Sequence, residues 1–182
     1  MGELASKVVV LLSTFNGDKF LQEQLDSLFT QTYNNIYIYV RDDGSTDLTC
    51  DILKCFEDKY SNFEVVYGSN IGVVKSFMSL LKMVPADGSF VAFCDQDDIW
   101  LNDKVTRSVE KLKLLPAKEV GLYFSNYQLV DAELNYISIP MRTSKITNTT
   151  PILRATLNKA THFIKCVFWP NIFTSRVNIR EE

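Results

Sequence analysis

Two hydrophobic patterns alternate along roughly the first 115 residues of the chain. Short runs of consecutive apolar residues are typical of buried strands, and they occur at 7–12, 36–40, 63–67, 89–94 and 120–126. Between them, apolar residues recur every three or four positions, as on one face of a helix. Helices are therefore predicted over 18–32, 46–60, 73–84 and 103–115, with Ser45 or Thr46 capping the second.

Regular alternation of strands and helices predicts an α/β fold. Right-handed crossovers between successive strands give a mostly parallel, open sheet with helices on both faces. The pattern changes after residue 126, where a hairpin is predicted over 127–139 and a helix beginning at Pro151. The last 20 residues are apolar without a clear period and are left unassigned. We expect a single domain, with an α/β region at 1–126 and a short hairpin/helix extension at 127–182.

Composition and net charge limit the classes of function that the chain could have. The 182 residues are 46% hydrophobic and 23% charged, with a net charge of -3, which suits a globular domain and disfavours nucleic acid as a partner. No apolar run approaches the roughly 18 residues of a membrane span. The N-terminal MGELASK lacks the apolar core of a signal peptide. A cytoplasmic location is therefore expected.

Cysteine and histidine offer little candidate chemistry. The four cysteines have spacings that match no zinc or redox motif, so buried thiols are predicted; they are Cys50, Cys55, Cys94 and Cys166. One histidine, His162, cannot build a multi-histidine metal site, and no nucleophile motif accompanies it.

Three polar clusters follow three of the predicted strands: 13–17 (STFNG), 41–47 (RDDGSTD) and 95–98 (DQDD). In a parallel sheet, all three lie on the rim at the carboxyl ends of the strands, where open α/β sheets bind ligands. The first two could also be ordinary turns and helix caps. The third is less easily explained as a surface loop, because Ile99 and Trp100 follow it directly.

The acidic cluster indicates a divalent cation. Three carboxylates within four residues repel one another, and magnesium or manganese could hold them against phosphate oxygens. Another carboxylate could accept hydrogen bonds from a base or a ribose, and the Phe15 ring could pack on the base. The chain contains neither GxGxxG nor GxxxxGK[ST], which disfavours a Rossmann dinucleotide site and excludes a P-loop.

Four ordered stretches resemble the family 2 nucleotide-sugar glycosyltransferases: VVVLLSTFNGDKFLQEQLDSLFTQTY, VRDDGSTDLT, SNIGVVKSF and FCDQDDIWLNDKV. The resemblance covers about residues 7–135, and the DQDDIW form is most like the rhamnosyltransferase-like branch that builds bacterial surface polysaccharides. It implies a GT-A fold, a UDP- or dTDP-sugar donor (rhamnose is one candidate sugar), a divalent metal and inverting chemistry.

The resemblance also implies residue roles on the nucleotide side of the site. Thr14, Phe15 and Asn16 would line the base and ribose pocket. Asp43 would hold the pyrimidine base, with Asp42 beside it.

Further roles concern the loop before the third helix and the acidic cluster. Gly72 would lie near the nucleotide, and Lys75 would either approach it or be a solvated helix lysine. Asp95, Asp97 and Asp98 correspond to the DXD region of the family: Asp98 as metal ligand, Asp97 in contact with ribose or donor sugar. Trp100 would pack below the sugar or belong to the core.

The chain departs from the family pattern on the acceptor side. The family's general base is a later acidic residue, and after residue 126 only Asp131, Glu133, Glu181 and Glu182 are acidic. The base is therefore not identified, and the chain is expected to keep the donor half and to lack much of the acceptor half. A shortened chain or an altered reading frame would each account for this.

Three functions are compared. The first is a glycosyltransferase acting on a saccharide or lipid-linked acceptor, peripheral at the inner face of the membrane, with a homodimer left open. The second is a non-catalytic nucleotide-sugar-binding remnant or subunit. The third is a nucleotidyltransferase, which would need a Gly-rich basic loop that STFNGDKF matches poorly.

Overall fold

A computed structural model describes residues 6–86, 90–115, 120–125, 130–131, 134, 166–168 and 177–180. The strands are β1 (Val8–Thr14), β2 (Ile36–Asp42), β3 (Phe63–Tyr67), β4 (Phe90–Cys94), β5 (Val120–Phe124), β6 (Cys166–Phe168) and β7 (Val177–Arg180). The helices are α1 (Asp18–Phe29), α2 (Thr49–Lys59), α3 (Val73–Leu81) and α4 (Lys104–Lys113).

One sheet contains all of these strands, in the order β3-β2-β1-β4-β6-β5-β7. Strands β1 to β4 pair in parallel, β6 lies antiparallel between β4 and β5, and β5 pairs in parallel with β7. The prediction of a mostly parallel α/β sheet is confirmed. Strands β6 and β7 were not predicted, because strands of three and four residues are too short to show an alternating pattern.

Helices pack on both faces of the sheet, as predicted. Successive side chains of a strand point to opposite faces, so β1 buries Val8, Val10 and Leu12 on one face and Val9 and Leu11 on the other. The first face packs against apolar residues of α1, α2 and α4. The second packs against Leu80 and its neighbours on α3.

Element ends differ from the predictions in ways that matter at the rim. Strands β1 and β2 each run two residues further, to Thr14 and Asp42, which are paired in register. Helix α2 begins at Thr49 without a side-chain cap, so the prediction of Ser45 or Thr46 as the cap is wrong. Both residues instead bond to other parts of the rim, as described below.

Other sequence predictions have mixed outcomes. Cys94 is buried and Cys50 half-buried, but Cys55 is exposed on the solvent face of α2, so its predicted burial is wrong. Of the predicted hairpin, the structure describes Val130, Asp131 and Leu134, and the predicted helix at Pro151 lies outside the described residues. Within the described ranges, no helix is both long and apolar enough to cross a membrane.

Candidate functional site

The ends of β1 and β2 are joined through Asp42. Its carboxylate is 2% exposed and accepts hydrogen bonds from Thr14 Oγ1 at 3.1 Å, from the Gly44 main chain at 3.1 Å and from the Ser45 main chain at 2.9 Å. The Ser45 hydroxyl and the Cys50 thiol also donate to it. Asp42 therefore organises the turn after β2, and its donors already surround the carboxylate that the resemblance places beside the base.

The surroundings of Cys50 change the pKa of its thiol. Burial, followed by the negative charge of Asp42, raises the pKa of the Cys50 thiol. The thiol therefore stays protonated and serves as a donor to the Asp42 carboxylate.

Asp43 is buried and points to a different part of the rim. It is 3% exposed, and its Oδ1 forms an ion pair with Arg41. Its Oδ2 accepts the main-chain N–H groups of Ile71 at 3.0 Å and Gly72 at 2.8 Å. Asp43, which the resemblance assigns to the nucleotide base, therefore also holds the loop that leads into α3.

Arg41 is a site residue that the sequence reasoning missed. Its side chain, with the residue 6% exposed, pairs with Asp43 and donates to the Ser69 carbonyl at 3.0 Å. The guanidinium lies against Gly68, where an added Cβ would be 2.5 Å from Arg41 Nη2. The only sequence signal was its position directly before the two acids.

Asn16 links the loop after β1 to the loop after β2. It adopts a positive φ of 46°, and its Oδ1 accepts the Thr46 N–H at 2.8 Å. Its own main-chain N–H donates to Ser45 Oγ at 2.9 Å. The neighbouring Phe15 ring remains 44% exposed. An exposed aromatic ring is suited to packing on a nucleotide base, and the neighbouring Asn16 amide is fixed in position by its hydrogen bond from Thr46.

Reciprocal contacts between Asp18 and Asp47 continue this link. Asp47 accepts the N–H groups of Asp18 at 3.2 Å and Thr49 at 3.0 Å, and Asp18 accepts the N–H of Leu48 at 3.4 Å. Burial alone would raise the pKa of Asp47, but hydrogen bonds from Thr49 and Asp18 outweigh it and hold that pKa below the ordinary value. The starts of α1 and α2 are thereby fixed to each other.

Gln96 connects the acidic cluster to the loop after β1. Its Oε1 accepts the Phe15 N–H at 2.8 Å, and its Nε2 donates to the Phe15 carbonyl at 3.1 Å. The sequence reasoning assigned Gln96 no role, because a partner 81 residues away leaves no local pattern. The three polar clusters therefore meet on one rim, as predicted.

Exposure differs among the three acids of the cluster. Asp95 and Asp98 are half-buried, and Asp97 is exposed. Within the described residues, no group of three or more His, Cys, Asp or Glu side chains could hold a metal ion.

The start of α3 lies beside Asp43. Gly72 precedes the helix with φ 82° and ψ 151°, a conformation open to glycine, and Lys75 is exposed in the first turn. The positive end of the helix and this lysine favour anions nearby. Trp100 is 3% exposed and belongs to the large core, which supports the core alternative for its role.

The general base is not among the residues brought together here. Asp131 is half-buried, and its carbonyl accepts the Leu134 N–H at 3.0 Å in a turn. Glu133, Glu181 and Glu182 lie outside the described residues.

The family model of glycosyl transferase family 2 matches residues 9–169, and the chain belongs to that family. The predicted family and GT-A fold class are confirmed. The chain is 35% identical to the dTDP-rhamnosyl transferase RfbG of Shigella flexneri, an alignment covering 56% of this chain and 36% of the relative. It is 30% identical to an uncharacterized glycosyltransferase of Rickettsia typhi, covering 76% and 42%. The chain thus spans less than half the length of either relative.

Solved structures give the same fold. S. aureus TarS 1-349 in complex with UDP matches with a TM-score of 0.57 and 29% identity, covering 66% of this chain and 36% of that solved chain. A mannosyltransferase from Pyrobaculum calidifontis, solved with GDP-Man and Mn²⁺, matches with a TM-score of 0.55 and 20% identity, covering 68% and 36%. The second likeness concerns the fold alone.

Proposed function

We propose that this chain binds a nucleotide-sugar donor at the rim and transfers its sugar, with inversion and with a divalent metal, to a saccharide or lipid-linked acceptor. The observation that carries the proposal is the hydrogen bonding of three polar loops into one rim at the carboxyl ends of β1, β2 and β4. This rim presents an exposed aromatic ring at Phe15 and carboxylates at Asp95, Asp97 and Asp98. A nucleotide base could pack on the ring, and a metal ion on the carboxylates could hold a diphosphate.

The base side is assigned to the loops after β1 and β2. The exposed Phe15 ring would pack on the base, with Asn16 along the ribose. Thr14 is 1% exposed and bonds to Asp42, so its role would be to support the pocket from below. Asp43 would accept a base N–H, with Arg41 paired to the same carboxylate.

The diphosphate side is assigned to the acidic cluster and to the start of α3. Asp98 would hold magnesium or manganese, with Asp95 and Asp97 near the ribose and donor sugar. The bound metal would supply charge neutralisation for the diphosphate leaving group. Gly72 and Lys75, at the positive end of α3, would add attraction for the phosphates.

Donor identity is proposed from the relatives. TarS was solved with UDP, and the Shigella relative is a dTDP-rhamnosyl transferase. A UDP- or dTDP-sugar is therefore proposed, with rhamnose as the first sugar to test. A lipid-linked acceptor would place the chain at the inner face of the membrane.

A non-catalytic nucleotide-sugar-binding domain is the second candidate. It is supported by the described residues of the rim, which include those proposed to bind the donor and none assigned as general base for an acceptor hydroxyl. Both candidates share the donor site and differ only in turnover.

Thermal unfolding of the full chain with UDP, dTDP and GDP, each with and without Mn²⁺, tests the shared donor site. Ligand at about 100 times its dissociation constant stabilises the native state by roughly 2.7 kcal/mol, and each kcal/mol moves the midpoint by about 2–4 °C for a chain of this size. We expect a metal-dependent rise with UDP or dTDP. No rise with any nucleotide would overturn the proposal.

Turnover separates the two candidates. The nucleotide that binds is tested as its rhamnose and N-acetylglucosamine derivatives, with release of nucleoside diphosphate as the readout. Release that depends on acceptor supports the transferase. Binding without release from any donor supports the non-catalytic alternative.

A further inference from the structure

We propose that Gln96 is a positioning residue that fixes the spacing between the base side and the metal side of the donor site. This inference rests on the proposed function. The Gln96 amide forms two hydrogen bonds with the main chain of Phe15, one as acceptor at 2.8 Å and one as donor at 3.1 Å. The two loops that it joins carry the two halves of the site.

The paired bonds restrict rotation as well as separation. A single hydrogen bond lets one loop pivot about the other, but two bonds to the N–H and C=O of one residue fix the orientation of that residue. The amide carries its donor and its acceptor on two neighbouring atoms, which matches the N–H and C=O groups of one residue. A carboxylate at this position would lose the donor and would face the Phe15 carbonyl with a negative charge.

Gly17 supplies an independent observation. A Cβ added at Gly17 would lie 2.5 Å from Gln96 Oε1 and 2.6 Å from its Cδ, so the Gln96 amide rests directly on the glycine. The Gly17 φ of −112° is open to other residues, so the position requires space and not unusual backbone freedom. Its N–H donates to Thr49 Oγ1 at 2.8 Å, which holds the glycine in place beneath the amide.

Gln96 lies within the acidic cluster, so its contacts with Phe15 connect the metal side of the site to the base side. Asp95 and Asp97 are its immediate neighbours, and Asp98 follows. Any movement of Gln96 relative to Phe15 therefore changes the distance from the base side to the metal side. A nucleoside diphosphate with its metal must reach both sides at once, and such binding gains from a preset distance. A nucleoside alone carries neither diphosphate nor metal, so its binding depends far less on this distance.

Dissociation constants of a nucleoside and of its diphosphate with Mn²⁺ test this inference, using uridine with UDP and thymidine with dTDP. Gln96→Met keeps the length of the side chain but removes both hydrogen bonds. We expect the diphosphate–Mn²⁺ complex to bind about tenfold more weakly, because the two sides no longer have a preset distance. The nucleoside should stay within about twofold of wild type, because it has no diphosphate and no metal to place at that distance. Gln22→Met, on an exposed position of α1, is the matched control.

Gly17→Ala provides a second route to the same displacement. The added methyl pushes the amide aside, so diphosphate–Mn²⁺ binding should again fall by about tenfold. In the Gln96→Ala background the methyl meets no amide, so Gly17→Ala should cause no further loss. This double-mutant cycle measures the coupling between Gly17 and Gln96 in diphosphate binding, separately from any general loss of stability.

Each outcome decides the question. Equal weakening of nucleoside and diphosphate in Gln96→Met would make Gln96 part of the base pocket or a structural residue, and would overturn the positioning role. Unchanged binding of both nucleoside and diphosphate in Gln96→Met would also overturn the positioning role. So would a loss of diphosphate affinity from Gly17→Ala that is equal in the wild type and in the Gln96→Ala background. Failure of the wild-type chain to bind any nucleoside or diphosphate would instead overturn the proposed function itself.

Discussion

Asp43 Oδ2 accepts the main-chain N–H of Gly72 at 2.8 Å, across 29 residues of sequence. The same oxygen accepts the Ile71 N–H, and the other oxygen pairs with Arg41. The carboxylate proposed to hold the base is therefore also the anchor of the loop that begins α3. Binding and stability are coupled at this residue, and a binding experiment has to separate them.

Asp43→Ala should lower both stability and nucleotide affinity. Removing one partner of a buried ion pair leaves the other charge uncompensated, which costs about 3–5 kcal/mol in the free energy of unfolding. UDP or dTDP should also bind more weakly with and without metal, because the base contact is independent of the cation. Urea denaturation measures the first effect, and titration of the folded variant measures the second.

Arg41→Met is the control for that experiment. It breaks the same ion pair but keeps the Asp43 carboxylate and its two main-chain donors, so stability should fall while the base contact remains. If the folded Arg41→Met variant lost as much nucleotide affinity as Asp43→Ala, the assignment of Asp43 to the base would be wrong.

Asp98→Asn should remove the metal dependence of nucleotide binding and leave the fold intact. The amide keeps the shape of the half-buried side chain, but a neutral ligand binds magnesium or manganese far less well than a carboxylate. Titration of UDP or dTDP with and without Mn²⁺ measures the effect, and circular dichroism monitors the fold.

Asp58→Asn is the matched control, since Asp58 is exposed on α2. It should bind nucleotide and metal like the wild type. A metal response in Asp98→Asn equal to that of Asp58→Asn would exclude Asp98 from the metal site.

Much of this rim was predictable from sequence, and the reasons are physical. Runs such as VVVLL and the spaced leucines of α1 follow directly from burial, and the carboxyl ends of parallel strands must meet on one edge. The convergence of the three polar clusters followed from those two facts. The packing of Phe15 on a base was suggested by its residue type and then by the resemblance, whereas Asp43 was assigned to the base by resemblance alone.

The contacts that build the rim were not predictable. Thr14 and Asp42 extend their strands because they pair with each other, and polar residues at a strand end look like a loop in sequence. Gln96 contacts Phe15, which is 81 residues away, and Arg41 contacts the Ser69 carbonyl, 28 residues away, in addition to its ion pair with Asp43. A three-residue strand such as β6 gains its structure from pairing with β4 and β5, since local sequence carries almost no information about it.

Asp47 should make stability depend on pH in acid. Its pKa is lowered in the folded chain from the ordinary value of 3.8. Its stabilising contribution is therefore present above that value and is lost as the pH falls through the lowered folded pKa. Between about pH 6 and about pH 3, Asp47→Asn should lose less stability than the wild type, by a small amount because the side chain is only half-buried.

Urea denaturation at each pH measures that difference, with Asp58→Asn as the control for removal of one acidic charge from the same region. Parallel pH profiles for the wild type and Asp47→Asn would show that the Thr49 and Asp18 contacts do not hold the carboxylate ionised.

Gln24→Met should stabilise the fold. Gln24 is fully buried, its Nε2 donates to Cys94 Sγ at 2.8 Å, and its Oε1 has no hydrogen-bond partner within the described residues. A buried polar atom without a partner costs roughly 1–3 kcal/mol, whereas an apolar side chain of the same shape avoids that cost. The free energy of unfolding should rise by about 1 kcal/mol, measured by urea denaturation. Gln24→Glu, which buries a charge in the same shape, should destabilise instead. A fall with Met would mean that a buried water satisfies the Oε1 oxygen.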